Sequence, residues 1–592
     1  MPLKKVLSIL IILFLFIIST YGCKNDNFDE YVDNLFKEEL KNNSMDINFT
    51  LLNPEDFELE DVRPTMFDLT EEAYEKEINS SKEILKDLNK FNYNKLTDNQ
   101  KLTYDILKSN SETTIQGEDF FLYSNVISSQ LGIQAQLPIL FAEYRFDDKQ
   151  DIEDYLKLIE ETPKLFDQII NFEEQKAKKG LLMPTFVIDN IIEQSSSFIN
   201  NTDDNFLIEI FEDKCREIDG LSSKEIENYI SNNKTAIKNN LIPAYEKLII
   251  SLSNLKGSSV NENGLYYLDK GSEYYEYLIS TYTGSSMNIE EMIEIIENRL
   301  ENTLLEALPL YSNDSVIETY FNLSYDFDSP EDTIIFLEDS MNDLYSAIEE
   351  QSLDIKYVHS SLEEFLSPAF YLIPPIDEQK KEIIYINKNP KYNLDTQLYS
   401  TLAHEGYPGH LYQNIYFRQQ DVPMIRHLMN YGGYSEGWAI YSELVATDFT
   451  NFQEDVKKCI NIDRELGLLV QARIDIGVNY EGWDLEYTKD YLSKIFPGIE
   501  ARPIYEATIE DPGVILKYTI GYLEVLNLKN KALDINPNLN LKDFHDFFLK
   551  IGPAPFDIIE KELNNWLNKK ETAKEGSFFF YVISYIYSQN IF

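Results

Sequence analysis

Apolar residues recur at intervals of three and four along most of the chain, which is the spacing of a helix face packed against a core. The pattern is clearest at 70–88, 151–178, 224–255, 288–308 and 329–350. Two of these segments begin with capping sequences, because Thr70 and Asn288 carry side-chain oxygens and precede acidic residues that suit the positive end of a helix. The sequence therefore predicts a mainly α protein.

Two short runs rich in β-branched and aromatic residues, 369–373 and 382–387, flank a breaker that opens with Pro374 and Pro375. They predict a small β-hairpin or sheet just before the histidine-rich region. An exposed strand edge there could hold an extended peptide by backbone hydrogen bonds. Tyr385, on the second run, is then a candidate substrate contact. A structural hairpin that covers the core is the alternative.

The first 22 residues have the pattern of a lipoprotein signal peptide. Two lysines precede an apolar run at 6–18, which is shorter than the roughly 18 residues of a membrane span. Cys23 follows, with Thr20 at the position where such signals usually carry Leu. We expect export and a lipid on Cys23 that anchors the protein to the outer face of the bacterial cell membrane. Plain secretion is the alternative.

No internal repeat and no long Gly/Ser/Pro linker divides the rest of the chain. We expect a linker at 23–30, a single helical unit at 31–570 and an aromatic tail at 571–592. The apolar part of the tail is too short to span a bilayer. It is expected to dock on the body, with a position at a membrane surface as the alternative.

The chain has 52 basic and 102 acidic residues and hence a formal net charge of −50. Such a field repels phosphate backbones, so nucleic acid is not expected as a partner. Cys215 and Cys459 belong to no metal-binding spacing and are expected to be buried apolar residues, with a single disulfide as the alternative.

The chain has five histidines, and two of them bracket the segment His-Glu-Gly-Tyr-Pro-Gly-His at 404–410. The residues before it favour a helix that ends near Glu405, because two glycines and a proline follow. In an unbroken helix, side chains six residues apart point about 240° apart. A turn at 407–409 is therefore needed to return His410 toward His404. The other three histidines, His359, His427 and His545, fit no ligand pattern.

Neutral imidazoles suit zinc, and a catalytic zinc usually takes three protein ligands and leaves one position for water. The helical segment 434–443 offers Glu436 as the third ligand. Glu443 lies seven residues later on nearly the same face, so it either orients a ligand or replaces Glu436. We expect one zinc ion, although manganese, cobalt or iron would fit the same ligands. Glu405 is then placed to act as general base on a zinc-bound water.

These motifs resemble those of the bacterial domain of unknown function 885 family, whose hallmark is HExxPGHH followed by YxEGWA. Here residues 404–411 read HEGYPGHL, and residues 434–439 read YSEGWA. The segments 270–275, 475–478 and 544–546 also look similar to family landmarks, so the resemblance covers most of the chain. The family is grouped with zinc peptidases of the gluzincin type, which implies a metallopeptidase-like fold and a metal held by two His and a downstream Glu. It favours Glu436 over Glu443 as that Glu.

The chain departs from the family pattern at two positions. Leu411 replaces the second His of the adjacent pair, which leaves His410 as the indispensable one. Asn479 stands where the family commonly has a His after its Asp-Thr-Gly segment, and its amide would have to replace that side chain near the substrate. Tyr518 is a candidate donor to the tetrahedral intermediate, and Arg473 is a candidate partner for a substrate carboxylate.

The resulting prediction is a large helical metallopeptidase-like protein with a small β element beside its active-site cleft. It is expected to be a zinc-dependent hydrolase, and specifically a peptidase that cleaves oligopeptides outside the cytoplasmic membrane. An amide or ester hydrolase of the cell envelope is one alternative. A lipoprotein that keeps the fold and binds ligands without turnover is another.

Overall fold

The computed structural model describes residues 28–570, apart from 130, 201–204, 326, 361–362, 364–365, 379 and 390–393. The predicted signal peptide, the predicted lipid attachment at Cys23 and the aromatic tail at 571–592 lie outside these residues. Among the described helices, none combines the length and the apolar character that crossing a bilayer would require.

Helices account for most of the described chain, which confirms the mainly α prediction. In chain order they are α1 Phe28–Asn42, α2 Ile47–Thr50, α3 Glu71–Leu88, α4 Asp98–Gln116, α5 Ile133–Glu143, α6 Lys149–Lys179, α7 Thr185–Ile199, α8 Phe206–Glu217, α9 Ser223–Ala236, α10 Ile242–Leu255, α11 Gly271–Thr283, α12 Ile289–Tyr311, α13 Asp314–Phe321, α14 Pro330–Ser340, α15 Leu394–Glu405, α16 His410–Arg418, α17 Gly432–Ala446, α18 Glu454–Ile476, α19 Leu485–Ile495, α20 Ala501–Glu510, α21 Val514–Ile535, α22 Leu541–Ile551 and α23 at 556–570.

The capping sequences act as predicted. The Thr70 side chain accepts a hydrogen bond from the backbone N–H of Ala73 at the start of α3. The Asn288 side chain accepts one from the N–H of Glu291 at the start of α12. In return, the Asn288 backbone N–H donates to the Glu291 carboxylate. Each contact satisfies backbone N–H groups that have no partner inside the helix.

The predicted helix at 329–350 is wrong beyond Ser340, where α14 ends in a 3₁₀ turn. The apolar residues that follow keep a helical spacing, and Met341 and Tyr345 are buried in the core. These residues therefore reach the core from an irregular segment and not from a helix. The chain then continues into a strand that the sequence analysis missed.

That strand, β1 (Ser352–Tyr357), joins β2 (Ala369–Leu372) and β3 (Lys381–Ile386) in a sheet of order β1-β3-β2. The predicted pair β2 and β3 is antiparallel, with Tyr371 opposite Ile384, and β1 runs parallel to β3. The predicted small β element is therefore a three-stranded sheet with β2 at one edge.

The sheet lies between two large apolar clusters. One is built mainly from α5 to α10, and Phe370 and Tyr385 pack against it. The other is built mainly from α11 to α23 and includes Tyr371 and Ile384. Successive residues of a strand point to opposite faces, so each face of the sheet covers a different core. Cys215 and Cys459 are free and buried, as expected of small apolar residues.

Helices α17 and α21 cross at glycines. A Cβ added to Gly437 would lie 2.2 Å from the carbonyl carbon of Gly521, and one added to Gly521 would lie 2.2 Å from the carbonyl oxygen of Gly433. Only glycine permits this approach. It brings the residues on either side of Gly437 and Gly521 close to one another.

Candidate metal centre

The turn between α15 and α16 reverses the chain over the residues that follow Glu405. Gly409 faces the end of α15 so closely that an added Cβ would lie 1.8 Å from the carbonyl oxygen of His404. The carbonyl oxygen of Pro408 accepts a hydrogen bond of 3.0 Å from Trp438 Nε1 of α17. The motif at 404–411 therefore needs Gly409 for space. The motif at 434–439 supplies Trp438, which holds the turn by its hydrogen bond.

This turn brings His404 and His410 together, and α17 places Glu436 beside them. Nε2 of His404 is 3.4 Å and Nε2 of His410 is 3.3 Å from Oε2 of Glu436. The two imidazole rings are perpendicular, with centroids 4.8 Å apart. One ligand atom from each residue lies within 4.8 Å of the other two.

The arrangement fits a zinc ion in donor type and in spacing. With nitrogen and oxygen ligands at about 2.0–2.1 Å from a tetrahedral zinc, neighbouring ligand atoms lie about 3.3–3.4 Å apart. Both imidazole-to-carboxylate distances, 3.4 and 3.3 Å, have this length. Two His and one Glu are also a donor set that catalytic zinc uses in peptidases.

The charges around His404 favour a cation. Burial lowers the pKa of His404, but Glu436 and Glu443 outweigh it and raise that pKa to about 10. Burial also raises the pKa of Glu436, yet His404, His410 and Lys517 hold it well below its usual value. The carboxylates are therefore ionised, and a divalent cation among them would take the place of a proton.

Glu443 contacts the other side of the His404 ring. Its Oε2 is 3.4 Å from Nδ1 of His404. Arg464 of α18 donates to both oxygens of Glu443, at 2.9 and 3.1 Å. A carboxylate behind a histidine fixes the ring orientation and tautomer and makes the outer nitrogen a better ligand. With a metal bound, this geometry would suit Glu443 as the residue that orients the ring and Glu436 as the ligand.

Glu405 is held by the edge of the sheet. Its Oε2 accepts a hydrogen bond of 2.9 Å from the backbone N–H of Tyr371 in β2. Its charge raises the pKa of both His404 and Tyr518. The carboxylate thus lies between the edge strand and the His-Glu cluster.

Two residues of α21, Lys517 and Tyr518, lie close to Glu436. Lys517 Nζ is 3.4 Å from Oε1 of Glu436. The ring of Tyr518 is stacked on that of His404 with centroids 6.3 Å apart. Burial and then Glu436 raise the pKa of Tyr518, so its hydroxyl stays protonated at neutral pH and is able to donate.

Two predicted substrate contacts have other partners. Arg473 donates to Glu297 at 2.8 Å and to Glu481 at 2.7 Å and covers the ring of Trp483. Asn479 is fully buried and bonds to Asp475, to the carbonyl of Thr508 and to the N–H of Leu265. Within the described chain, the structure assigns both residues to packing between helices and not to the cluster.

Tyr385, the third predicted substrate contact, lies on the opposite face of the sheet from the cluster. A Cβ on Gly406 would lie 3.3 Å from Ile384 Cδ1, so the Ile384 face meets the end of α15. Tyr385 points the other way, stacks on Phe370 and donates to Glu143 at 3.2 Å.

The sequence analysis missed three parts of the site. Arg464 comes close to Glu443 only through the packing of two helices, and the backbone of Tyr371 carries no sequence signal. Lys517 precedes Tyr518, so the segment that suggested the tyrosine could also have suggested the lysine.

Comparisons with known proteins agree on the family and the fold. The model of the family "Bacterial protein of unknown function (DUF885)" matches residues 60–563. No curated protein matches the chain. The crystal structure of a predicted lipoprotein from Colwellia psychrerythraea is similar with a TM-score of 0.79 and 19% identity, over 92% of this chain and 100% of that one. A predicted lipoprotein of unknown function from Shewanella oneidensis has a TM-score of 0.61 and 15% identity, over 91% and 99%. At these identities the likeness concerns the fold alone.

Proposed function

We propose that this chain, which belongs to the bacterial protein family DUF885, is a zinc-dependent peptidase that acts outside the cytoplasmic membrane. The observation that carries the proposal is the convergence of His404 and His410 on one oxygen of Glu436, beside the carboxylate of Glu405. Two imidazoles and a carboxylate at this spacing have the chemistry of a catalytic zinc site.

His404, His410 and Glu436 would hold the metal, and Glu443 with Arg464 would keep His404 in its orientation. A bound zinc supplies Lewis acidity, which polarises an amide carbonyl and lowers the pKa of water. The chain's own residues supply the proton transfers and the orientation.

Glu405 is the general base in this proposal. The Tyr371 N–H holds one carboxylate oxygen and so fixes the direction of the other. Glu405 would take a proton from the attacking water and pass it to the leaving amine. Tyr518, protonated and adjacent to the cluster, would donate to the carbonyl oxygen as negative charge develops there.

The edge strand favours a peptide as substrate. In the described sheet β2 pairs with β3 on one side, and on its other side the Tyr371 N–H reaches Glu405. An extended chain laid along this edge would exchange backbone hydrogen bonds with β2 and pass Glu405. A thin, unfolded oligopeptide suits such a site better than a folded protein.

Location is part of the proposal. The signal-peptide pattern with Cys23 indicates export and a lipid anchor. The two similar structures are of predicted lipoproteins, which is consistent with that arrangement.

The first test is the zinc content of the purified chain beside that of His410→Ala, with His359→Ala as the matched control. His359 lies apart from the cluster and pairs with Glu209. We expect about one zinc in the wild type and in the control and none in His410→Ala. A mixed peptide library should be cleaved by the zinc-bearing proteins alone.

The outcomes separate the candidate functions. A wild type without zinc, or a His410→Ala variant that keeps it, would overturn the ligand assignment. Zinc without peptide cleavage, but with turnover of amides or esters from the envelope, would favour the other hydrolase. Zinc with no turnover of either class would favour a binding protein.

A further inference from the structure

A cavity of about 760 Å³ lies on the face of the sheet that points away from the cluster at His404. Phe370 of β2 and Tyr385 of β3 line it from the sheet, and Ile139 of α5 and Ile210 of α8 line it from the helices. This volume is within the range of about 300–1,000 Å³ that small-molecule sites usually have. The cavity is therefore large enough to take a ligand of its own.

Lys214 of α8 brings a cation to the wall of this cavity. Its ammonium donates to the carbonyl oxygen of Ala142 and, at 3.0 Å, to that of Tyr144. An ammonium has three N–H donors, so these two bonds leave one donor without a partner among the described residues. Nζ also lies 5.8 Å from the centroid of the Phe146 ring, which lines the cavity too. The end of α5 thus holds the ammonium in place with one donor left for a ligand.

Charges of both signs surround Lys214. Burial lowers the pKa of Lys214 to about 8. The Glu143 carboxylate acts against this shift, and the Lys356 ammonium adds to it. Glu143 accepts a hydrogen bond of 3.2 Å from the Tyr385 hydroxyl, which fixes the carboxylate beside the sheet. Glu143 and Lys356 both line the cavity, so a carboxylate and two ammonium groups border the same space.

Most of the other lining residues are apolar, among them Phe49, Leu372 and Ile383. Burial of aliphatic or aromatic groups against them would favour binding, because apolar surface is removed from water. The cavity thus combines opposite charges with an apolar wall. A short peptide with apolar side chains has the same combination, since it carries an ammonium at one end, a carboxylate at the other and apolar groups between them.

We propose that this cavity binds a zwitterionic peptide of about two or three apolar residues. The peptide carboxylate would accept from Lys214, and the peptide ammonium would donate to Glu143. Such peptides are also products that the proposed peptidase would release, but binding in this cavity does not depend on that function. Phe370 precedes Tyr371, whose N–H holds Glu405, so a bound peptide would touch the strand that positions the proposed general base.

The test is isothermal titration calorimetry of leucyl-leucine into full-length His410→Ala, a variant that should lack the proposed zinc site and leave the dipeptide intact. We expect a single saturable site. Adding Lys214→Met should weaken binding by about tenfold to a hundredfold, because a charge-assisted hydrogen bond is lost. Adding Glu143→Gln instead should weaken it by a similar factor.

The matched control is Lys176→Met in the same His410→Ala background. Lys176 is also a buried lysine bonded to a backbone carbonyl, at 2.9 Å to Ser124, but it does not line the cavity. It should keep the full affinity. Two ligand analogues test the charges without changing the protein further. N-acetyl-leucyl-leucine lacks the ammonium and leucyl-leucinamide lacks the carboxylate, so each should bind at least about tenfold more weakly.

Four results would overturn the proposal. One is the absence of dipeptide binding to His410→Ala, and another is an equal loss of affinity in Lys214→Met and Lys176→Met. A dipeptide that binds the wild type but not His410→Ala would occupy the metal cluster and not the cavity. Octanoate, an apolar anion without an ammonium, would have to bind more weakly than the dipeptide, because equal affinity would mean a site for fatty acids. Zinc content tests the peptidase separately and does not enter these outcomes.

Discussion

Three of the five histidines, His404, His427 and His545, lie in two different kinds of environment. At His404 the neighbouring carboxylates raise the pKa to about 10 despite burial. At His427 and His545 burial lowers the pKa to about 4. Burial is common to all three residues, so the difference comes from Glu436 and Glu443. A buried histidine becomes a candidate for cation binding here only where carboxylates face it.

We call the surroundings of His545 the neutral region, and the surroundings of His404, with Glu436 and Glu443, the charged region. The neutral region nevertheless supports the charged region. The ring of His545 is 5.6 Å from that of Trp438, which holds the turn between the two proposed ligand histidines. His545 also bonds to Tyr441 of α17. His545 therefore contacts the helix that carries Glu436 and Glu443.

The largest effect is expected from Glu405→Gln, which tests whether chemistry belongs to the carboxylate-rich region. The amide oxygen of Gln can still accept the Tyr371 N–H, so the local structure should persist. Loss of the base should lower peptide hydrolysis by about 10²–10⁴-fold, with zinc content unchanged. Peptide cleavage rates and metal analysis on the same preparation check this. Full activity would remove Glu405 from the mechanism.

The second prediction concerns pH and the neutral region. Because burial lowers the pKa of His545 to about 4, the unfolded chain takes up a proton below about pH 6.5 while the folded chain does not. Stability is therefore lost as the pH falls from about 6.5 to about 4. The variant His545→Gln lacks this titration. Its deficit in unfolding free energy relative to the wild type should shrink by about 2–3 kcal/mol between pH 7 and pH 4.5.

Urea unfolding of both proteins at the two pH values measures that difference. Other groups titrate in both proteins, so their contributions cancel in the comparison. A deficit that stays constant with pH would mean that His545 is not held neutral.

The charged region was easier to predict from the sequence than the surrounding scaffold. Gly409 and Pro408 indicated a turn, because glycine and proline determine the backbone conformation at their own positions and need no distant contact. That turn brings His410 close to His404. The sequence could not predict which face of β3 meets the site. The alternation of side chains along a strand separates two faces, but it does not say which core each face covers. For this reason the sequence did not indicate that Tyr385 lies on the face away from the cluster. The pairing of Arg464 with Glu443 depends on packing between helices, which a local pattern does not carry.

The third prediction asks whether Glu443 acts through His404. Glu443→Gln should weaken zinc binding by about 10–100-fold, because the carboxylate that orients the ligand ring is lost. Competition with a chelator of known affinity measures the change. The protein should remain folded, since Gln can still accept from Arg464.

The matched control is Glu465→Gln. Glu465 is also buried and also accepts two bonds from an arginine, at 2.7 and 2.8 Å from Arg299. Its further partners are Thr303 and Tyr522, and neither is a histidine. The control should lose stability and keep its zinc affinity. Equal losses of affinity in both variants would make the effect of Glu443 a general consequence of breaking a buried pair.

The smallest effect is expected from Tyr441→Phe, which sharpens the account of the neutral region. Nδ1 of His545 is 2.9 Å from the carbonyl oxygen of Leu344, so it must carry the proton and donate. Nε2 is then an acceptor, and the Tyr441 hydroxyl donates to it at 2.8 Å. Removing that hydroxyl should cost about 1 kcal/mol of unfolding free energy and leave the zinc affinity unchanged.

The matched variant is Tyr431→Phe, at the start of the same helix. The buried Tyr431 hydroxyl has no hydrogen-bond partner within the described part of the chain, so its removal should be neutral or slightly stabilising. Chemical denaturation of both variants gives the difference between a hydroxyl that is bonded and one that is not. If Tyr441→Phe lowers zinc affinity as well, the neutral histidine would also help to position the ligands on α17, and the two regions would not be separable.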